Sequence, residues 1–395
     1  MEKLYAHFAP YRAAPDDKHL DVLDGVRAIC VLLVGWYHIW QQGWLSPTLR
    51  IGNRLLSLDF LLRSGYIWVD GLLLLSGFVL YLPYARQKSA PSISAFYRRR
   101  LVRILPSYLL CIGVLFALAL IRGDYASPKA AALDLAAHLT FTHTLFPFSY
   151  HATPLNGALW TLGVEMQFYW LFPLLARLFR RWPRLTYAAM TAAAFAFRAY
   201  AAARPDSSMY FNQLPAFLDV YAAGFAGAAA FCALRGRLEK PDRKIALFFT
   251  AVFVVCVLQL IRMCEAQAGI SGYENIRRGQ MNQRFLFSAV LCCAMVSAAF
   301  SLPLLRYLLG NPLMRFFSTI SFQFYIYHQL FAVQLKKWRF PPSASQEPWR
   351  AGDYGWQVRY TLLAFLGAAV IAALITFLFE RPLARRLSAR RGRKK

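Results

Sequence analysis

The sequence predicts an all-α fold, a polytopic membrane bundle of about ten transmembrane helices. Two observations predict it. Runs of about 20 mostly apolar residues recur along the whole chain, and a helix of that length matches the thickness of a bilayer. In addition, 58% of the 395 residues are hydrophobic and the mean hydropathy is +0.37, whereas a soluble chain would alternate apolar and polar faces. We therefore expect a membrane protein without an appended soluble domain.

The charge and the cysteines exclude several other classes. A net charge of +26 would indicate nucleic-acid binding in a soluble protein. Here the basic residues lie between apolar runs, where they set orientation and contact anionic lipids, so we expect membrane lipids and no nucleic acid as partners. The seven cysteines form no CxxC pattern, and we expect no metal site. The polar first 20 residues predict an uncleaved first span and no signal peptide.

Ten segments are long and apolar enough to form spans. They cover residues 23–44, 65–84, 101–121, 158–177, 185–203, 213–234, 244–264, 284–304, 312–335 and 356–380. Residues 1–22 would form a cytosolic N-terminal arm, residues 23–380 the membrane domain, and residues 381–395 a basic cytosolic tail. Gly224 and Gly227 in the sixth span predict a close contact between helices.

An eleventh candidate, residues 133–148, is shorter and contains Asp134, His138, His143 and Pro147. Basic clusters lie at 86–103, 177–184, 235–244 and in the tail. The positive-inside rule favours placing all four clusters in the cytosol, which requires that 133–148 does not cross. This segment would then be re-entrant or interfacial on the opposite side, and both termini would be cytosolic. A topology with eleven spans is the alternative, ranked second.

The first span carries two ionisable residues, Arg27 and His38. They are eleven residues apart, which is about three helical turns and roughly 16 Å, so both side chains project from nearly the same face. Ionisable residues within a membrane helix are costly and usually face a bundle interior or a wet cavity. We therefore take both as candidate functional residues.

Four titratable residues from four spans are predicted to lie at a similar depth in the outer half of the bilayer: His38, Asp70, Glu165 and His328. A carboxylate near a histidine can orient its ring and raise its basicity, as a general base requires. Each residue alone could equally be a helix contact or the partner of an arginine. The shared depth favours a catalytic site of His38 with Asp70 or Glu165.

The opposite end of the bundle is rich in arginine. Arg27 lies near the cytosolic end of its span, Arg100 lies immediately before the third span, and Arg103 enters it. Arginine binds phosphates through two parallel hydrogen bonds and stays charged when partly buried. These three residues are therefore candidates for binding a phosphate-rich ligand such as a nucleotide-bearing acyl carrier. Ordinary topology signals and lipid headgroup contacts are the alternative.

Two helix faces carry side chains suited to substrate contact. Tyr169 lies one turn after Glu165, and Trp160 lies earlier in the same span. Tyr325 and His328 share one face of the ninth span, because residues three or four apart are neighbours on a helix. We take Trp160, Tyr169, Tyr325 and His328 as candidate substrate-binding residues.

Seven motifs, taken together, resemble those of acyltransferase family 3, a family of integral-membrane acyltransferases. They are Arg27 with His38, GYIWVDGLLLLSGF at 65–78, FYRRRLVRILPSY at 96–108, LWTLGVEMQFYWLFP at 159–173, LPAFLDVYAAGFAGA at 214–228, ISFQFYIYHQ at 320–329, and FERP at 379–382. The resemblance covers essentially the whole chain, in order and at suitable spacing.

The resemblance implies about ten spans, a cytosolic acyl-CoA donor (commonly acetyl-CoA), and O-acylation of a hydroxyl on a cell-surface glycan or membrane glycolipid. It also implies a location in the cytoplasmic membrane of a bacterium. Arg27 and His38 would be the essential pair, with supporting roles for Asp70, Arg100, Arg103 and Glu165. The family usually has paired aromatic residues after the aspartate, where this chain has leucines at 72–74; we expect altered packing and acceptor fit. We expect no esterase-like domain, and the acceptor would then bind the membrane domain.

Several alternatives stay open at this level. His38 could act as a general base or as a nucleophile that carries the acyl group. The acceptor could be a small natural product. A transporter or flippase of an anionic lipid-linked sugar could use the same charged residues, although transporters commonly show internal repeats and broken helices, neither of which is evident here. A structural subunit would not need matched intramembrane histidines and carboxylates.

Overall fold

The computed structural model describes residues 20–52, 54–86, 92–238 and 242–389, and within these ranges the chain is almost entirely helical. The predicted all-α class is confirmed. Most of the predicted N-terminal arm, the end of the basic tail, and Lys88 and Lys240 of two basic clusters lie outside the described residues. The described β-structure is one short antiparallel hairpin, β1 (Thr48–Ile51) and β2 (Arg54–Ser57), with Thr48 opposite Ser57.

The helices follow one another with short connections. In chain order the α-helices are α1 Asp21–Gly43, α2 Asp59–Arg63, α3 Trp68–Arg86, α4 Ile93–Arg122, α5 Pro128–Leu139, α6 Pro147–Tyr150, α7 Trp160–Arg181, α8 Pro183–Ala202, α9 Leu218–Arg237, α10 Arg243–Ala268, α11 Tyr273–Phe300, α12 Pro303–Gly310, α13 Pro312–Lys337, α14 Tyr354–Leu374 and α15 Arg381–Ala389. One wide turn of π-helix, Ile375–Glu380, joins α14 to α15.

A long helix occupies each of the ten predicted spans. Seven helical segments in the described part of the chain are long and apolar enough to cross a membrane. The other three, α7, α8 and α13, are less apolar or more charged, but their 22, 20 and 26 residues reach about 30 Å or more. The chain is therefore an integral membrane protein with several transmembrane helices. Ten crossings and cytosolic termini stay predictions.

The eleventh candidate segment forms only a short helix. α5 has 12 residues, which is about 18 Å and well short of the roughly 30 Å hydrocarbon core. Its Asp134 is buried and accepts hydrogen bonds from Tyr125 and Thr153, both at 2.8 Å. The geometry favours the reading in which 133–148 does not cross on its own.

Glycines set the close contacts of the helices that carry the candidate residues. A Cβ on Gly224 of α9 would lie 2.5 Å from the backbone oxygen of Leu74 in α3, so the predicted close contact is confirmed. On α1, Gly35 faces the ring of Phe324 in α13 in the same way. Because Gly35 leaves room for the Phe324 ring, α1 packs closely beside α13, and the side chains of the two helices meet.

Candidate active site

Two imidazole rings meet between α1 and α13. The ring centroids of His38 and His328 are 5.2 Å apart and their planes are tilted by 45°. His328 is completely buried, whereas His38 is partly exposed. Both were expected in the outer half of the bundle, and the structure brings them into direct contact. We refer to this part of the bundle as the His38 end, and to the opposite part as the Arg27 end.

The hydrogen bonds of the two histidines indicate which ring nitrogen carries the proton. His328 Nδ1 lies 2.9 Å from the backbone oxygen of Phe324. His38 Nδ1 lies 3.1 Å from Oε1 of Gln41, whose Nε2 donates to the Tyr37 hydroxyl at 2.8 Å. A backbone carbonyl oxygen only accepts, so a neutral His328 ring carries its proton on Nδ1 and has its lone pair on Nε2. With the amide oxygen of Gln41 directed at Nδ1, a neutral His38 ring has the same tautomer. His328 Nε2 is buried without a hydrogen-bond partner among the described residues.

Asp70 does not orient His38, and this expectation is wrong. Its carboxylate accepts a hydrogen bond from Arg284 Nε at 3.1 Å, and both side chains are buried. The next residue, Gly71, lies against Cys30 of α1. Cys30 is eight residues before His38, which is about 12 Å along the helix. Asp70 therefore lies well toward the Arg27 end, where it pairs with an arginine.

Glu165 also lies away from the histidines, which corrects the predicted shared depth. It accepts hydrogen bonds from Ser76 at 2.9 Å and from the Tyr169 hydroxyl. Ser76 is five residues further toward the Arg27 end than Gly71, or about 7 Å. Ser76 is therefore a hydrogen-bond partner of this carboxylate.

The error for Glu165 arises from the depth in the bundle at which α7 begins. Trp160, the first residue of α7, stacks on Phe217 with a centroid distance of 5.8 Å. The same Phe217 ring lies 3.9 Å from the guanidinium carbon of Arg284, the partner of Asp70. α7 therefore starts deep in the bundle, and counting residues from its first turn places Glu165 too close to the His38 end.

A cavity of about 120 Å³ lies among α1, α3, α4, α7 and α13. We call it the central cavity. Its wall on α3 extends from Leu80 to Val69, eleven residues or about 16 Å. Six of the ten candidate residues line it: Arg27, Arg100, Arg103, Glu165, Tyr169 and Tyr325. The predicted arginine cluster is therefore gathered around one space, with a single lining carboxylate to offset three guanidinium groups.

The central cavity approaches the histidines through Tyr325. The Tyr325 and His328 ring centroids are 5.7 Å apart, and His328 contacts His38. His38, His328, Asp70 and Trp160 are not among the residues that line the cavity. Leu72 and Leu73, where the resembled family usually has aromatic residues, do line it. That departure therefore falls on the cavity wall.

Sequence reasoning missed two partners that the structure identifies. Gln41 lies one turn after His38, a spacing that places the two side chains on one face. Arg284 begins a predicted span, and an intramembrane arginine is expected to find a carboxylate, so its presence signalled an ion pair with Asp70. A second buried pair, Arg198 with Asp219, lies near the first. These four charges join α3, α8, α9 and α11.

A family model for acyltransferase domains matches residues 20–381 of this chain. Among curated proteins, the chain is 33% identical over 165 residues to acyltransferase MdmB of Streptomyces mycarofaciens, covering 42% of this chain and 41% of that protein. It is 30% identical over 179 residues to nodulation protein 10 of Rhizobium leguminosarum bv. viciae, covering 42% and 47%.

A third similar protein is O-acetyltransferase OatA of Staphylococcus aureus. It is 27% identical over 184 residues, covering 44% of this chain and 26% of OatA. The matched region thus spans less than half the length of each of these relatives. No solved structure matches the chain significantly.

Proposed function

The chain belongs to this family of acyltransferase domains, and on that basis we propose that it is an O-acyltransferase using cytosolic acyl-CoA. The acyl group would be acetyl, and the acceptor would be a hydroxyl of a cell-surface or membrane-associated glycan. O-acylation of a small natural product is the alternative acceptor chemistry. The membrane would be the cytoplasmic membrane of a bacterium. The proposal rests on one observation: the central cavity extends from three arginines to Tyr325, whose ring lies beside that of His328.

The arginines would hold the donor. Arg27, Arg100 and Arg103 offer guanidinium groups to the phosphates of acyl-CoA, and arginine pairs with phosphate through two parallel hydrogen bonds. Beyond them the wall becomes apolar, with Val31, Leu73 and other side chains. An extended pantetheine arm fits a passage of about 16 Å. The thioester would then approach Tyr325 and the histidines beyond it.

The histidines would carry out the transfer by one of two routes. In the first, Nε2 of His38 takes the proton of the acceptor hydroxyl while the hydroxyl oxygen attacks the thioester carbonyl carbon. The carbon–sulfur bond then breaks, and the leaving thiolate recovers the proton. In the second, Nε2 attacks the carbonyl carbon and the thiolate leaves. The acceptor oxygen then attacks the acyl carbon, the bond from that carbon to Nε2 breaks, and the imidazole is released. His328 Nε2 would then receive the hydroxyl proton.

The other candidate residues would act at a distance from the acyl carbon. Glu165 would balance the positive charge of the arginines, because it lines the same cavity. The Tyr169 hydroxyl donates to Glu165, so it is not available to stabilise an oxyanion. Tyr325 lies nearer the histidines and is the better donor for that role. Asp70 and Trp160 would support the bundle and have no direct contact with substrate.

The proposal is tested with purified protein in lipid nanodiscs supplied with acetyl-labelled acetyl-CoA and candidate glycans. We expect free thiol to appear and label to move to the acceptor. Mass spectrometry of surface glycans from cells with and without the protein would identify that acceptor. Movement of a lipid-linked sugar across a sealed membrane without thioester cleavage would instead support a transporter.

Arg27→Ala is expected to raise the KM for acetyl-CoA about 10- to 100-fold, because a hydrogen bond to a charged group contributes about 1.5–3 kcal/mol. Initial rates at varied donor concentration measure the change. Arg27→Lys keeps the positive charge and should raise the KM for acetyl-CoA less than Arg27→Ala does. Unchanged donor dependence together with weaker acceptor binding would contradict a donor site at the Arg27 end.

Gln41→Leu is expected to lower kcat about 2- to 10-fold with little change in either KM, because one hydrogen bond contributes about 0.5–1.5 kcal/mol. The hydrogen bond from His38 Nδ1 to Gln41 fixes which nitrogen faces the substrate. Gln41→Glu keeps an accepting oxygen and should retain more of the rate. Gln42→Leu, the adjacent change on another face of α1, is the control. Equal rates for all of these variants would exclude this role of Gln41.

A further inference from the structure

A second cavity, of about 220 Å³, lies beside the central cavity at the Arg27 end. We call it the arginine cavity. Its lining comes from α4, from the end of the π-helical turn and from α15: Arg98, Arg99, Val102, Arg103, Glu380, Arg381, Ala384 and Leu387. Arg103 lines both cavities. A ligand that passes Arg103 could therefore occupy both.

The arginine cavity has a strong excess of positive charge. Four guanidinium groups face one carboxylate, that of Glu380. Among the ion pairs of the described residues, none involves Arg98, Arg99, Arg103 or Arg381. Four arginines without carboxylate partners around one cavity are suited to phosphate groups. The proposed function places donor phosphates on Arg27, Arg100 and Arg103 and gives no role to the other three arginines.

A buried hydrogen-bond network fixes the wall that α15 contributes. Gln323 of α13 is completely buried and donates to Glu380 Oε2 at 2.6 Å. The same amide nitrogen lies 2.6 Å from the Ser107 hydroxyl of α4. This network ties the π-helical turn to α13 and α4. It therefore holds Arg381, the residue after Glu380, opposite Arg98 and Arg99 across the cavity.

We propose that the arginine cavity binds the 3′-phosphorylated nucleotide end of acyl-CoA, while the central cavity binds its pantetheine arm and thioester. This inference rests on the proposed function. Arg103, shared by the two cavities, would contact the pyrophosphate that joins the two halves of the donor. Arg98, Arg99 and Arg381 would surround the 3′-phosphate. Glu380 would accept hydrogen bonds from the ribose hydroxyls or the adenine amino group. A phosphate group alone provides no such donors.

The phosphate of an anionic lipid headgroup shares part of this chemistry, so the experiment separates the two sources. The donors are acetyl-CoA, acetyl-dephospho-CoA, which lacks the 3′-phosphate, and S-acetyl-4′-phosphopantetheine, which lacks the nucleotide. The protein is studied in nanodiscs of phosphatidylcholine, with and without phosphatidylglycerol. The variants are the double change Arg99→Gln with Arg381→Gln and, as a control, Arg385→Gln on α15, which does not line the cavity.

For the unaltered protein, kcat/KM should fall at least 10-fold from acetyl-CoA to acetyl-dephospho-CoA. In the double variant, kcat/KM should fall 10- to 100-fold with acetyl-CoA and stay almost unchanged with S-acetyl-4′-phosphopantetheine. Arg385→Gln should behave as the unaltered protein. The donor comparison on the unaltered protein needs no variant, so poor folding of the double variant would not remove the test.

Three outcomes would overturn the inference. Equal kcat/KM for acetyl-CoA and acetyl-dephospho-CoA would exclude a 3′-phosphate site. A loss of equal size with all three donors would show a general effect on the bundle. A loss that appears only with phosphatidylglycerol would assign the cavity to lipid. Failure of the proposed function itself is distinct, since then none of the donors would support transfer by the unaltered protein.

Discussion

His38→Ala is expected to reduce acyl transfer about 100- to 10,000-fold, the range that a positioned general base contributes. The protein should still fold, because the side chain is partly exposed and its hydrogen-bond partner Gln41 is exposed. Transfer of labelled acetyl from acetyl-CoA measures the loss, and thermal unfolding of the purified protein checks the fold. If the imidazole of His38 takes part in the reaction, then loss of rate and retention of stability must occur together.

The matched control for this change is His151→Ala. His151 is exposed and lies 3.9 Å from Asp206, outside the central cavity, so its loss should leave the rate within about two-fold of normal. His328→Ala should also lower the rate, because the proton acceptor beside His38 is lost. Near-normal transfer by the His38→Ala protein would rule out His38 as the catalytic residue.

Arg284→Gln is expected to destabilise the protein by about 3–5 kcal/mol, the usual effect of removing one partner from a buried ion pair. Asp70 would remain buried at 1% exposure without its cationic partner. Arg284 also donates to the backbone oxygens of Phe211 and Ala216, both at 3.2 Å, and these contacts would weaken as well. Thermal unfolding in detergent, compared with the unaltered protein, measures the effect.

Asp70→Asn combined with Arg284→Gln provides the decisive comparison. Removal of both charges should recover part of the lost stability, because no unpaired charge remains buried. Arg350→Gln breaks an exposed pair with Glu347 and should change stability by less than about 1 kcal/mol. If the single Arg284→Gln variant unfolds at the temperature of the unaltered protein, the buried pair does not hold these helices together.

Local sequence features predicted the helices and one end of the candidate site. Helix positions follow from apolar runs, which the chain carries at all ten places. Arg27, Arg100 and Arg103 lie at the same end of their spans, which predicts that they cluster, and the structure places them around one cavity. His38 and His328 were matched by depth on helices that run in the same direction, and their rings are in contact.

The parts that could not be predicted depend on how helices are offset along the bundle. Asp70 and Arg284 are 214 residues apart in the chain, and nothing local to either residue specifies the other. The depth of Glu165 was counted from the start of its span, but α7 begins deep in the bundle beside Phe217. Offsets of this kind are set by close contacts such as Gly71 against Cys30, which only the packed structure reveals.

In the proposed reaction, acyl-CoA enters at the Arg27 end and the acyl group leaves on the acceptor at the His38 end. Sealed proteoliposomes with uniformly oriented protein test it, with acetyl-CoA supplied on one side and a membrane-impermeant acceptor on the other. We expect acylated acceptor only when acetyl-CoA is on the side of Arg103 and the acceptor is on the side of Gln41. Equal or greater transfer when acetyl-CoA is confined to the Gln41 side would contradict this direction of transfer.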